Sequence, residues 1–531
     1  MRDLRRGANH AGIYLDPIPM NPVAIQMGDR RVYPPATVPA LAAFLDELAE
    51  KRVRYCLWKS NLRLADALAG ATDLDLLVDR RHAAVFREIV GRHRLKPLVP
   101  PVGGRYPGME HFLGLDRASG RLFHLHVHYQ LVLGEEYVKN YRLPIEEELL
   151  ASTRLLHRVP IPRPELELSI LAVRALLKYR DRDVVKDLLR IRSPGLPEQV
   201  RAEMGWLLTQ TTVEEVRAAL QAIDSVVPAD VVCEFLETAV GDPRSGYSLF
   251  LLRRRLRRAV AGLRRRSRLR ASLKYHGTAW RRRARRPRMT RVGGGLTIAL
   301  VGADGSGKST VAEALARWLS WKLEVRVCYL GSKAPSRRSR WLYVAFRALR
   351  RSHRATVRKL GSEPTVARSI GAARDVTLAL HYLAIGADRA RRYGEGQRNA
   401  RAGRVVIFDR FPLESLSSRL EHRLLDGPQI SAALGDSTGR VTGALAAAEK
   451  RMYRRFALPD YLMVLQVSPE VSADRKPDHR IGVLTAKARA ALELATLAET
   501  GGDPARVIRI DANGPFDAVL QVVKARLWNV L

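Results

Sequence analysis

The 531-residue sequence predicts an α/β fold, with a parallel sheet flanked by helices in the C-terminal half and an α+β region before it. Three observations carry that prediction. From Leu296 onward, short apolar runs at 296–301, 325–330, 405–408, 461–465 and 506–510 alternate with helical stretches, the pattern of parallel strands covered on both faces. The first run leads into a glycine-rich stretch, Gly302-Ala303-Asp304-Gly305-Ser306-Gly307-Lys308-Ser309-Thr310, and a helical segment follows at once. Between Arg253 and Arg291 lie eighteen Lys and Arg with no Asp or Glu, which marks a division between the two halves.

Taken in order, residues 1–36 are rich in Pro and Gly and read as a loosely packed lead-in. An α+β domain is expected over 37–252. It opens with a helix at 38–51, a strand at 53–58, a short helix at 62–69, a strand at 73–78 and a helix at 81–91. The stretch 99–104 (Val-Pro-Pro-Val-Gly-Gly) reads as loop, 122–133 as one strand, and 165–188 and 197–220 as a helical tail. Residues 253–292 form a basic linker or helix. In it Leu256, Val260 and Leu263 recur at helical spacing, so it is either a solvated connection or a helix lying on an anionic membrane surface or polyanion. The last domain spans 293–531. Within it a second acid-free run, 333–359, carries ten more basic residues, either as a rim around an acceptor opening or as a solvated helix face.

Composition narrows the setting. A hydrophobic content of 46% over this length supports more than one core. Cys56, Cys233 and Cys328 lie too far apart for metal-site spacing and suit a reducing compartment. No apolar stretch has signal-peptide or membrane-spanning length, so the cytoplasm is the expected location. The net charge of +37 asks for water, polyanions or acidic headgroups, yet no nucleic-acid reading module is recognisable.

The glycine stretch carries the chemistry. Between a strand and a helix, Gly302, Gly305 and Gly307 let successive N–H groups turn inward around phosphate oxygens. Ser306 and Thr310 complete the cradle, Lys308 reaches the β and γ phosphates, and the Ser309 hydroxyl suits Mg²⁺. A nucleoside triphosphate with Mg²⁺ is the expected ligand. Asp409-Arg410 ends the apolar run 405–408, placing at a strand's carboxyl end a carboxylate for metal and a guanidinium for an acceptor phosphate.

These residues, with Ala387-Asp388-Arg389-Ala390, Asp409-Arg410-Phe411, Pro459-Asp460, Arg475-Lys476 and Ile510-Asp511-Ala512, resemble thymidylate kinase over roughly 294–531. The resemblance implies a P-loop kinase that moves the γ-phosphoryl of ATP to a nucleoside monophosphate, dTMP or related, or to another small phosphorylated acceptor. It implies that Lys308 and Ser309 handle ATP and Mg²⁺, Asp304 meets the acceptor sugar, Arg389 approaches the acceptor base and Arg410 holds the acceptor phosphate. Arg475, Lys476 and Arg480 would then belong to a lid, with Lys308, Asp409, Arg410 and Arg475 as the catalytic set. Departures fall at Ile385, where the family stacks a phenylalanine on the base, and at Glu414 and Ser418, where it has a serine and a tyrosine.

In the N-terminal half, Lys59-Ser60-Asn61, Gly70 and Asp73-Leu74-Asp75 resemble the nucleotidyltransferase superfamily. Residues i and i+2 of a strand share a face, so Asp73 and Asp75 are placed to share a divalent cation. In place of a third acid stand His124, His126 and His128, alternating onto one face, either as ligands for a metal softer than Mg²⁺ or as half-buried strand histidines. Two alternatives to the kinase stay open: nucleotidyl transfer by this half, and a regulatory ATP-binding module.

Overall fold

The computed structural model describes residues 32–179, 196–241, 246–284, 288–331, 335–361, 365–414, 427–435, 439–477, 481–500 and 506–531. It is α/β, with one mixed and one parallel sheet.

The chain enters through α1 (Pro39–Glu50), where proline sits in a first turn that needs no N–H. Its Leu41, Phe44, Leu45 and Leu48 pack over a six-stranded sheet. The strands are β1 (Tyr55–Leu57), β2 (Leu74–Val78), β3 (Lys96–Val99), β4 (Met109–Leu115), β5 (Leu122–His128) and, much later, β10 (Thr290–Arg291). Their order is β1-β2-β5-β4-β3-β10, with only β2 and β5 parallel. Alternation divides the sheet: Leu74, Leu76, Val78, Phe123, Leu125 and Val127 enter the core under α1 and α3 (Ala83–Arg92), which the short α2 (Leu64–Leu68) precedes, while Asp75, Leu77, His124, His126 and His128 take the opposite face.

The strand expected over 122–133 is divided. β5 ends at His128, and Leu131–Leu133 forms β6, which pairs with β7 (Tyr141–Leu143) in a separate ribbon. After α4 (Glu146–Ala151) and the hairpin of β8 (Thr153–Leu156) and β9 (Val159–Pro162), α5 (Pro164–Lys178) begins a helical layer. The helix expected over 197–220 is two, α6 (Glu198–Leu208) and α7 (Val213–Leu220). Thr212 accepts from Glu215 N–H while the Glu215 carboxylate accepts from Thr212 N–H, and this reciprocal cap starts a new helix in mid-segment.

The segment expected as a basic linker or helix is largely helical and built into the fold. After α8 (Ala229–Gly241), α9 (Gly246–Ala259) turns Leu249, Leu252 and Leu256 into the helical core, and Val260 follows them in. Arg253, 2% exposed, is paired with Glu135. The apolar stripe at 256 and 260 therefore faces this protein's own core. Past α10 (Arg268–Ala284), Thr290 and Arg291 join β3 as an edge strand, which ties the end of the basic segment to the N-terminal sheet.

The C-terminal half is a five-stranded parallel sheet in the order β12-β13-β11-β14-β15. Its strands are β11 (Leu296–Gly302), β12 (Val325–Tyr329), β13 (Val405–Asp409), β14 (Tyr461–Gln466) and β15 (Arg506–Asp511). Helices α11 (Lys308–Leu319), α12 (Arg337–Leu360), α13 (Thr365–Arg401), α14 (Ile430–Leu434), α15 (Arg440–Tyr453), α16 (Pro469–Arg475), α17 (Ile481–Thr500) and α18 (Phe516–Val530) fill the connections. The central β11 has β13 on one side and β14 on the other, so a crevice opens beyond its carboxyl end. Leu98, Leu113, Leu115 and Leu122 of the first sheet share a core with Leu296, Leu315, Leu323 and Trp528 of the second half. Among the described residues no helix is long and apolar enough to cross a membrane.

Candidate functional site

The crevice is built around the turn that follows β11. Gly302 has φ +147°, and a Cβ there would lie 2.3 Å from the Leu465 carbonyl oxygen. Gly305 and Gly307 have φ +84° and +83°, left-handed values that L side chains adopt at a cost. Gly307 is the N-cap of α11, so the free N–H groups of the helix's first turn face the crevice. Lys308 is 5% exposed and its ammonium donates to the carbonyls of Gly302 (3.0 Å) and Ala303 (2.6 Å). Ser309 and Thr310 follow on the first turn of α11 and line the same space, while Ser306 is buried beneath it.

Parallel pairing places Asp409 beside Leu300 and Tyr329, at the carboxyl end of β13 and next to the turn. It is 5% exposed, and its Oδ1 has no hydrogen-bond partner among the described residues. Arg410 follows with φ +67°, an unusual conformation for a residue with a side chain, held by its N–H donating to Leu300 O at 3.2 Å. That turn aims the guanidinium towards Asp304, Nη2 to Oδ1 3.5 Å. Lys487 of α17 contacts the other Asp304 oxygen. Burial pushes the Asp304 carboxyl up, but Lys487, Lys308 and Arg410 outweigh it and hold the group below its usual value.

Across the crevice, α13 contributes Tyr382, Ile385 and Arg389. Arg389 is 2% exposed and donates to Tyr453 Oη at 2.7 Å. Behind it Glu449, raised by burial above the usual carboxylate range, accepts from the N–H groups of Gln429 (3.0 Å) and Ile430 (2.9 Å). The resulting cleft holds about 980 Å³. It brings together Asp304, the 305–310 turn, Arg389, Arg410, Arg475 and Lys476. Arg475 donates to the carbonyls of Ala512 (2.9 Å), Asn513 and Gly514 (3.1 Å each), fastening the end of α16 to the segment after β15. Arg480 and Ser418 lie outside the described residues; Glu414 is described and partly buried. Lys487, Tyr329, Tyr382 and Gln429 line the cleft without having been singled out in the sequence. Only the three-residue spacing of Tyr382 from Ile385 on one helix could have pointed to any of them.

The second acidic pair lies in the other half, and its members part company. Asp73 meets His124 Nδ1 at 3.0 Å and Lys322, which comes from the turn after α11. Asp75 meets Lys59 Nζ at 2.7 Å, His126 Nδ1 at 2.9 Å and, more distantly, His128 Nε2 at 3.7 Å. Burial raises both carboxyls, and these partners more than reverse it. Burial also drives His126 and His128 down to about 3 and His111 down to about 2, so all three imidazoles are neutral.

Comparison with known proteins places this chain beside the uncharacterized ATP-binding protein YghR of Escherichia coli, at 29% identity over 228 residues, 42% of this chain and 83% of the relative; the sequences from strains K12 and O6:H1 match equally. The uncharacterized ATP-binding protein YghS of strain K12 is 28% identical over 233 residues, 42% of this chain and 89% of its own length. No family model matches the chain.

Proposed function

We propose that the C-terminal half binds ATP at the 302–310 turn and transfers its γ-phosphoryl group to a small phosphorylated acceptor, a nucleoside monophosphate being the best fit. The observation that carries this reading is that a glycine turn, a buried lysine, Arg389 and Arg410 all line a single cleft. Its relatives' names as ATP-binding proteins support the first half of the statement.

Phosphoryl transfer asks the protein for alignment and for cations around a group whose charge spreads as it moves. With phosphates present, the ammonium of Lys308 exchanges the Gly302 and Ala303 carbonyls for phosphate oxygens, and the N–H groups of the α11 first turn hold the rest of the chain. The Ser309 hydroxyl and Asp409 Oδ1, which has no hydrogen-bond partner among the described residues, fit Mg²⁺, which when bound would neutralise the polyphosphate charge. Arg410 holds the acceptor's phosphate, its backbone fixed by the strained turn after β13. Asp304, kept ionised by Lys487 and Arg410, accepts from an acceptor hydroxyl. Ile385 supplies no ring for stacking, but Tyr382 restores an aromatic face to the cleft, so a nucleobase is accommodated.

The test is an acceptor panel that includes dTMP, with full-length protein and Mg²⁺-ATP, reading ADP. Lys308→Ala should abolish acceptor-dependent ADP formation, and Arg410→Ala should lower kcat/KM by about 10²–10³-fold with a raised acceptor KM. ADP release indifferent to every acceptor, or ATP affinity unchanged in Lys308→Ala, would remove the proposal.

A further inference from the structure

Four histidines and an aspartate crowd one face of the N-terminal sheet, outside the cleft just described. Register explains the crowding: β2 sets Asp75 beside His126, and β4 sets His111 opposite His126. The His111 and His126 rings stack at 4.5 Å, and the His126 and His128 rings lie 4.3 Å apart. Among the described residues neither ring nitrogen of His128, a residue 1% exposed, has a hydrogen-bond partner. A buried imidazole nitrogen without a partner is costly, and a bound cation would satisfy it.

We propose that Asp75, His126 and His128 bind a transition-metal dication of zinc type. One ligand atom from each residue lies within 4.8 Å of the others. The contacts from Asp75 Oδ1, 2.9 Å to His126 and 3.7 Å to His128, bracket the edge of about 3.3 Å that a tetrahedron with bonds of about 2.05 Å requires. Two imidazoles and one carboxylate select zinc, cobalt or nickel over Mg²⁺, which prefers oxygen ligands and octahedral geometry. Asp73 stays out of the set because Lys322 and His124 already hold it. In the metal-free protein the ammonium of Lys59, 2.7 Å from Asp75, supplies the positive charge, and the dication displaces it.

Cobalt(II) is the probe, added to tag-free full-length protein and followed by its visible d–d absorption. One equivalent per chain should bind with tetrahedral intensity, survive excess Mg²⁺ and be displaced by zinc. The double variant His126→Ala/His128→Ala should lose at least 100-fold in cobalt affinity while keeping the parent's circular dichroism spectrum and a single cooperative urea transition, which report that it folds. Lys59→Met, by removing the internal competitor, should bind cobalt more tightly than the parent. Absence of the absorption at millimolar cobalt, displacement by Mg²⁺, or an unchanged titration in the double variant would overturn the site, as would weaker cobalt binding in Lys59→Met.

Discussion

At Gly302 and Gly307 the same substitution meets different obstacles. A Cβ at Gly307 finds no atom within 4 Å, so Gly307→Ala is charged only for its left-handed backbone, about 1–2 kcal/mol. At Gly302 the methyl would strike the Leu465 carbonyl of the neighbouring strand, which cannot move without disturbing the β11–β14 pairing. Gly302→Ala should therefore lower the urea midpoint clearly more than Gly307→Ala, and a reversed order would refute the turn geometry. Residues of this kind were legible in the sequence because strand, glycine spacing and lysine are all local. Asp409 and Arg410 were legible as the end of an apolar run. Lys487 was not: its contact with Asp304 spans 183 residues, and nothing in the sequence around it selects that lysine over the others. His126 and His128 could be read as alternating onto one face, whereas His111 joins them only through strand pairing, which periodicity does not reveal.

Two basic amphipathic helices show what an element's sequence leaves undecided. α9 and α12 both carry apolar residues at helical spacing among arginines, and by pattern alone either stripe suits a membrane, a partner or a core. In α9 the stripe is buried, with Leu252, Leu256 and Arg253 enclosed; in α12 Trp341 is 74% exposed. The difference comes from packing: α9 closes a helical layer with α5 and α8, whereas α12 packs chiefly on α13 with its inner face. Leu256→Ala should thus cost about 2–5 kcal/mol, while Arg258→Ala, on the solvent side of the same helix, should stay within about 0.5 kcal/mol. Equal, near-zero effects in chemical denaturation would mean that α9 is the loose connection its charge suggested. The splits at Thr212 and after His128 have the same origin, since a cap and a change of sheet are made by contacts that hydropathy does not encode.

Across the whole molecule, the halves that the sequence divides at a basic segment are joined by a common core. Leu98, Leu113, Leu115 and Leu122 bring the first sheet against β11, α11 and α18, and Trp318 Nε1 donates to the Gly120 carbonyl at 3.0 Å. Lys322, in the turn after the helix that starts at the glycine turn, contacts Asp73 in the other half. A ligand at that turn is therefore linked to the N-terminal sheet through one helix and one apolar interface. ATP at 100 times its Kd adds about 2.7 kcal/mol to whatever unit unfolds with its site, a factor of about 100 in opening. If the shared core makes that unit span both halves, saturating Mg²⁺-ATP should slow amide exchange in β3, β4 and β5 as well as in β11 and α11, approaching that factor for the slowest amides. Exchange measured by mass spectrometry with and without nucleotide decides it. Protection confined to 293–531 would show that the leucines of the first sheet let go before the nucleotide site does, and the two halves would then be stable independently of each other.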